Sequence, residues 1–191
     1  EGTYRQILSA YYGYVAMIDD GVGQLLQTLH DEGLADDTLV IFSADHGEFG
    51  GQFRSFYKGL PYEGSTHVPL IISDPRVIQQ PATCTLNVSN IDLFATCLAN
   101  AGAKIPSDAE SRDLTPLWQD QVATWDNRTL WKKGNQSFVV RDDAKLLREG
   151  NGTDATYEFY DLANDPWEET NQFDLPRYAT DIDALKQELD S

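Results

Sequence analysis

The sequence predicts an α/β fold: part of a mixed, mostly parallel sheet flanked by helices, followed by a small α+β domain with an antiparallel sheet and a terminal helix. Three observations carry that expectation. A helical apolar stripe opens the chain, two short and nearly continuous β-branched runs follow, and beyond residue 102 the texture shifts to polar turns and short alternating segments. We therefore divide the chain into residues 1–102, part of a larger α/β domain, and residues 103–191, a small C-terminal domain.

Apolar residues at Tyr4, Ile7, Leu8, Tyr11, Val15, Ile18, Val22, Leu25, Leu26 and Leu29 recur at helical spacing, and Gly33 supplies the stop. "TLVIFS" at 38–43 and "HVPLIIS" at 67–73 read as strands buried on both faces, the kind that parallel sheets contain. Ser89 or Asn90 is set to cap a helix through "IDLFATCLAN", with Gly102 just past its end. After the turn-rich "AKIPSDAESRDLTP", the segments "SFVVRD", "KLLRE" and "YEFYDL" read as antiparallel strands. The last helix is expected to start at Thr180 with Asp183 completing a capping-box-like pair, and to turn Ile182, Leu185 and Leu189 inward. Two parallel strands are too few for a covered sheet, so the chain is expected to belong to a longer polypeptide or to join a complementary segment. Exposed sheet edges would then favour a swapped or tightly packed homo-oligomer.

Composition narrows the partners. The 191 residues include four Trp, nine Tyr and eight Phe, enough to fill an interior, and no run approaches the roughly 20 apolar residues of a membrane span. A formal charge of −17 opposes encounter with nucleic acid or an anionic membrane, so an anionic substrate needs a local positive site. Cys84 and Cys97 match no metal-site spacing; a disulfide between them is arithmetically open, and two buried thiols are the expectation.

The chemistry concentrates where the first strand ends, in "FSADHGEFGG". Ligands of open α/β sheets collect beyond the carboxyl ends of strands. There Asp45 offers carboxylate oxygens and His46 a ring nitrogen to a divalent cation, and Gly47 lets the backbone turn away. Alone, such a pair more often closes a loop and a strand end. Lys58, twelve residues on, is able to bind a tetrahedral oxyanion or protonate a leaving oxygen, where the ordinary reading is a solvated side chain. His67 opens the second strand, and by itself reads as a half-buried residue bonded to backbone.

The stretch from "YYGYVAMIDDG" through "VIFSADHGEFGG" to "YKGLPYEGSTHVPLIISDP" resembles the sulfatase family of the alkaline-phosphatase superfamily, and "YEFYDLANDPWEETNQF" is similar to that family's carboxyl-terminal signature. The resemblance spans nearly the whole chain, with its pieces in the right order. It implies that Asp45 and His46 are two ligands of a divalent metal, Ca²⁺ before Mg²⁺ or Mn²⁺, in the Asp-His form of a pair that is more commonly Asp-Asn. Lys58 matches the lysine that contacts the sulfate group and assists the departing oxygen, and His67 stands near the substrate pocket at a position that is often Arg. Asp19, Asp20 and Asp92 lie in matching segments without a catalytic motif role; surface charge or helix capping accounts for them.

Two parts of the family pattern are absent, one of them the acidic pair near the amino terminus that completes the metal site. The Cys/Ser-x-Pro-x-Arg motif that is oxidised to the formylglycine nucleophile has no counterpart: Cys84 leads into "CTLNV", Cys97 into "CLANA", and the decoy at Ser73 has Arg76 one position early. The expectation is therefore a C-terminal fragment of a sulfuric ester hydrolase that carries metal-binding and sulfate-binding residues. The formylglycine lies in the missing N-terminal segment, and the fragment alone is inactive. A phosphonate monoester or phosphodiester hydrolase is the alternative enzyme, and a non-catalytic module binding sulfated glycans the alternative of another class. The resemblance implies a periplasmic or extracellular address, and sequons at Asn87, Asn127, Asn135 and Asn151 agree with a glycosylating pathway.

Overall fold

The computed structural model describes residues 2–119 and 124–190. Helix α1 (Gly2–Asp31) opens the chain, followed by strand β1 (Val40–Ser43), the single-turn helix α2 (Glu63–Thr66) and strand β2 (Leu70–Ser73). Next come α3 (Asp92–Asn100), the short α4 (Thr115–Trp118), the four strands β3 (Arg128–Lys133), β4 (Gln136–Arg141), β5 (Ala144–Glu149) and β6 (Thr156–Asp161), and the terminal helix α5 (Ala179–Asp190). No helix among the described residues is long and apolar enough to cross a membrane.

The first sheet corrects the expectation of parallel strands. β1 and β2 pair with each other antiparallel, Val40 opposite Ser73 and Ser43 opposite Leu70. Nor are the two strands buried on both faces: β1 is half-buried throughout and β2 alternates half-buried with exposed residues, so a continuous apolar run fixed neither burial nor strand direction, which the connection decides. Here residues 44–69 form a long loop with a 3₁₀ turn at Gln52–Arg54 and the single turn of α2, and it returns the chain without a crossover helix.

The second sheet is an antiparallel meander in the order β3-β4-β5-β6. Its strands alternate between two apolar faces. Val139, Leu146 and Phe159 pack against Ile182, Leu185 and Leu189 of α5, and the opposite face presents Phe138, Val140, Leu147 and Tyr160 to Tyr62 from the loop before α2. Each fully buried side chain of this size contributes roughly 1.5–3 kcal/mol, so this two-sided core is the stable centre of the chain. The terminal helix turns inward the three residues expected of it. It needs no Thr180 cap, because a 3₁₀ turn at Pro176–Tyr178 winds straight into Ala179.

Helix α3 is anchored by charge. Asp92 is 1% exposed; it accepts from the Ser89 backbone N–H at 2.9 Å and pairs with Arg112 Nη2 at 2.8 Å. Its carboxylate ties the turn before the helix, α3 has no side-chain cap from the expected Ser89 or Asn90, and Asp92 is not a surface charge. Gly102, at φ 65°, ends the helix as expected, with Ala103 N–H donating to Leu98 O. Cys84 and Cys97 are both free and exposed, against the expected burial: Cys84 lies in an irregular loop, and α3 buries Asp92, Ala95 and Thr96 while Cys97 faces outward.

Helix α1 buries none of its residues. Tyr4, Ile7, Tyr11, Val15, Ile18, Leu25 and Leu26 of its apolar stripe are all exposed. Its first turns meet the site loop, where the Tyr4 hydroxyl donates to Gly50 O at 2.5 Å and its ring faces Phe56, and its last turn meets the 3₁₀ turn at Ala35–Asp37.

Candidate active site

Strand β1 delivers Asp45 and His46 to its carboxyl end, and Asn90 fixes that end. The Asn90 amide donates to Ala44 O at 2.7 Å while its Oδ1 accepts from the Ser43 hydroxyl at 3.1 Å. The next residue must be glycine, since a Cβ on Gly47 would lie 2.2 Å from Gly64 O. Close approach brings a bond with it, Gly47 N–H to Ser65 O at 2.8 Å.

The loop then folds back on itself around Glu48, whose Oε1 accepts from the backbone of Gly50 at 3.1 Å and of Tyr57 at 2.6 Å. Phe53, Arg54 and Tyr57 take left-handed φ angles of 51°, 59° and 69°. Such angles cost of order 1–3 kcal/mol each in non-glycine residues and persist only where the surroundings over-determine them. Their result is that Lys58 returns to the strand end.

His46 is the meeting point. Its Nδ1 stands 2.8 Å from Gly47 O, which assigns the proton to Nδ1 and leaves the Nε2 lone pair outward. That Nε2 is approached by Lys58 Nζ at 2.5 Å and by Asp45 Oδ2 at 3.3 Å. An acidic oxygen, a neutral imidazole nitrogen and an ammonium thus converge on one point. Asp45 is 84% exposed as a side chain, so the cluster opens to solvent on one side.

His67 is placed otherwise. Its Nδ1 pairs with Glu63 Oε2 at 3.1 Å across one helical turn, and its ring is exposed. The Glu63 hydrogen bond pushes the His67 pKa up, against the effect of burial. Burial alone would raise the Glu63 carboxyl, but His67 and Lys145 bring it down to about 2. His67 therefore belongs to an ion-pair chain with Glu63 and Lys145 and not to the contacts that join Asp45, His46 and Lys58.

Among the described residues no three His, Cys, Asp or Glu side chains converge to hold a metal. Asp45 and His46 supply an oxygen and a nitrogen suited to two positions of a divalent site, not to a whole one. A polar cleft of about 250 Å³ lined by Lys132, Gln136, Ser137 and Arg148 sits at the far end of the second sheet and contains none of these residues.

Sequence reasoning missed the residues beneath the loop. Lys145, with no exposed surface, lies 2.7 Å from both Glu63 Oε1 and Glu168 Oε1. Tyr62 donates to Glu158 at 2.9 Å, and burial first, then that carboxylate, pushes its hydroxyl above the ordinary range. One signal was available: Lys145 shares the inward register of Leu147 in "KLLRE", an unusual place for an ammonium without a partner.

Comparison with known proteins names the family. The Sulfatase family pattern matches residues 1–103. The chain belongs to the sulfatase family. It is 31% identical to an arylsulfatase of Clostridium perfringens over 97% of its own length, and 30% identical to an N-acetylglucosamine-6-O-sulfatase of Bacteroides thetaiotaomicron over 98%. It spans 40% and 36% of those two proteins. Among solved structures, one determined in complex with its substrate D-glucosamine-2-N,6-O-disulfate superposes with a TM-score of 0.83 at 29% identity, covering 92% of this chain and 38% of that one. A phosphonate monoester hydrolase of Agrobacterium radiobacter superposes at 0.81 with 27% identity, covering 94% and 39%.

Proposed function

We propose that this chain is the carboxyl-side part of a sulfuric ester hydrolase and forms one wall of its active site. The observation that supports this best is the convergence of Asp45, His46 and Lys58 on a single point at the end of β1, in a chain of the sulfatase family. Asp45 and His46 would hold a divalent cation, Ca²⁺ first and Mg²⁺ or Mn²⁺ next, with further ligands from the remainder of the full-length protein. Such a cation, when bound, polarises the ester oxygens as a Lewis acid. The proton on His46 Nδ1, held by Gly47 O, leaves Nε2 as the atom that would face the cation, in exchange for its present contact with Lys58 Nζ. Lys58 binds the sulfate oxygens as a point charge and offsets the negative charge that develops on the departing oxygen. His67, one turn from Glu63, is a substrate contact at the rim.

The formylglycine nucleophile belongs to the remainder, so the 191 residues by themselves have no significant turnover. That remainder covers the exposed stripe of α1, and it completes the mixed, mostly parallel sheet of which β1 and β2 are the antiparallel part. A share of 34–40% of the curated relatives' length supports this placement. A periplasmic or extracellular address goes with the reading.

A second reading is favoured by the phosphonate monoester hydrolase superposition: the same cluster suits a phosphonate or phosphodiester. Paired assays of the full-length protein on aryl sulfate and aryl phosphonate esters separate the two. The expected result is preference for the sulfate ester, and a fall of about 10²-fold or more in kcat/KM for Lys58→Ala. An unchanged rate in that variant, or preference for the phosphonate, overturns the sulfatase assignment. Retention of ligand binding without turnover on either ester would make the protein a sulfated-glycan binder.

A further inference from the structure

The loops that bring His46 and Lys58 together are held from a distance. The backbone N–H of Glu63, at the start of α2, donates to Glu168 Oε2 at 2.5 Å. The Glu63 carboxylate accepts from Lys145 Nζ at 2.7 Å, and the same ammonium pairs with Glu168 Oε1 at 2.7 Å over the ring of Phe138. Lys145 and Glu168 are 0% and 1% exposed, and Glu168 sits at a left-handed φ of 57°. Two residues past Glu63, Ser65 accepts twice: its carbonyl from Gly47 N–H at 2.8 Å and its hydroxyl from Gly59 N–H at 3.4 Å. Those glycines are the immediate neighbours of His46 and Lys58. A parallel tie runs from the residue before Glu168, where Trp167 O accepts from Gln52 Nε2 at 2.8 Å.

Buried ion pairs are a poor source of stability, because desolvation offsets most of the Coulomb gain. They do fix geometry, since each charge tolerates one arrangement of partners. Displacement of a catalytic group by about 1 Å costs on the order of 10²-fold in rate. The cluster has the form of a geometric anchor: a rigid strand carries Lys145, a signature turn carries Glu168, and both grip the one helical turn that touches the residues beside His46 and Lys58.

We propose that Lys145 and Glu168 are positioning residues of the active site, acting through Glu63 and Ser65 to hold His46 and Lys58 at their meeting distance. This rests on the reading of Asp45, His46 and Lys58 as the active site. It gives the C-terminal sheet a task in catalysis without any contact to substrate.

The test uses the full-length protein and two readouts, kcat/KM on an aryl sulfate and hydrogen exchange at the Gly47 and Gly59 amides. Glu168→Ala is expected to lower kcat/KM at least about tenfold and to speed exchange at both amides by a similar factor. Glu168→Gln, whose amide oxygen still accepts from Glu63 N–H, restores most of both. Ile182→Val, on the opposite face of the sheet, lowers the melting temperature and leaves both readouts unchanged. Wild-type exchange and rate in Glu168→Ala, or equal effects from Ile182→Val, overturn the proposal. Where Glu168→Ala does not fold, Gln52→Ala decides: faster Gly47 exchange supports the anchor and wild-type exchange refutes it. Absence of wild-type turnover on any sulfate or phosphonate ester would instead sink the active-site reading, while amide exchange continues to report on the anchor.

Discussion

Lys145 and Glu63 lie 82 residues apart in sequence and 2.7 Å apart in space, joined across the junction between the C-terminal sheet and the loop that carries the candidate site. The lysine is fully enclosed, and Glu63 and Glu168 balance its charge.

Removing that charge leaves the buried Glu168 carboxylate without an ionic partner among the described residues, facing a Glu63 that keeps only the exposed His67. Lys145→Met is expected to destabilise the protein by about 3–5 kcal/mol, seen as a lower urea midpoint. A midpoint within error of wild type would mean that the carboxylates relax into water at little cost, and the anchor would then have no rigid partner.

The Glu63–His67 pair predicts a pH dependence. The His67 pKa is raised in the folded state by its hydrogen bond to Glu63. Its contribution is therefore complete below the ordinary histidine value and is lost as pH rises through the folded value. The stability difference between wild type and His67→Ala should shrink steadily as urea unfolding is repeated at increasing pH. Glu63 works in the opposite direction: with its pKa near 2 in place of 4.5, its contribution persists above 4.5 and is lost as pH falls toward about 2. A pH-independent difference between the two proteins would show that the pair does not form in solution.

At Gly47 the structure leaves no room for a side chain, because a Cβ would stand 2.2 Å from the carbonyl oxygen of Gly64. Gly47→Ala must therefore shift backbone against backbone. We expect a loss of about 1–3 kcal/mol by thermal unfolding, together with loss of activity in the full-length protein. Full activity would place the α2 turn farther from the strand end than described.

The stripe on α1 distinguishes a solvent face from a hidden one. Ile18 is 53% exposed here. Ile18→Glu should change the stability of the 191-residue chain by less than about 0.5 kcal/mol, as surface substitutions do, and should sharply lower the melting temperature of the full-length protein, where a charge would be buried. Equal, small effects in both would show that the remainder does not cover this face, and light scattering of the isolated chain would then reveal whether a second copy does.

Much of the fold was legible. The stripe of α5 and the runs of β4, β5 and β6 bury apolar side chains against neighbours, and burial leaves a period in the sequence; α1 carries the same period with its stripe exposed, and β1 and β2 are half-buried at most. β3 was not recognised because "RTLWKK" mixes charges into an edge strand whose outer positions face water. The single-turn helices α2 and α4 were missed because four residues are too few to show a helical period. In the candidate site, Asp45, His46 and Lys58 were named from motif and spacing. The support beneath them was not, since Glu63, Lys145 and Glu168 are scattered across the chain, and of the three only Lys145 carried a signal, its inward register on β5.

Local sequence, then, determined which segments bury apolar surface and which polar residues stand at the end of β1, because periodicity and turn chemistry act within a few residues of themselves. Tertiary structure alone decided that β1 and β2 run antiparallel, that His67 turns to Glu63, and that a lysine on β5 closes over the site loop. Those outcomes depend on distant charges and backbone groups that find one another only after the chain has collapsed, when an unpaired buried charge becomes too costly to leave alone.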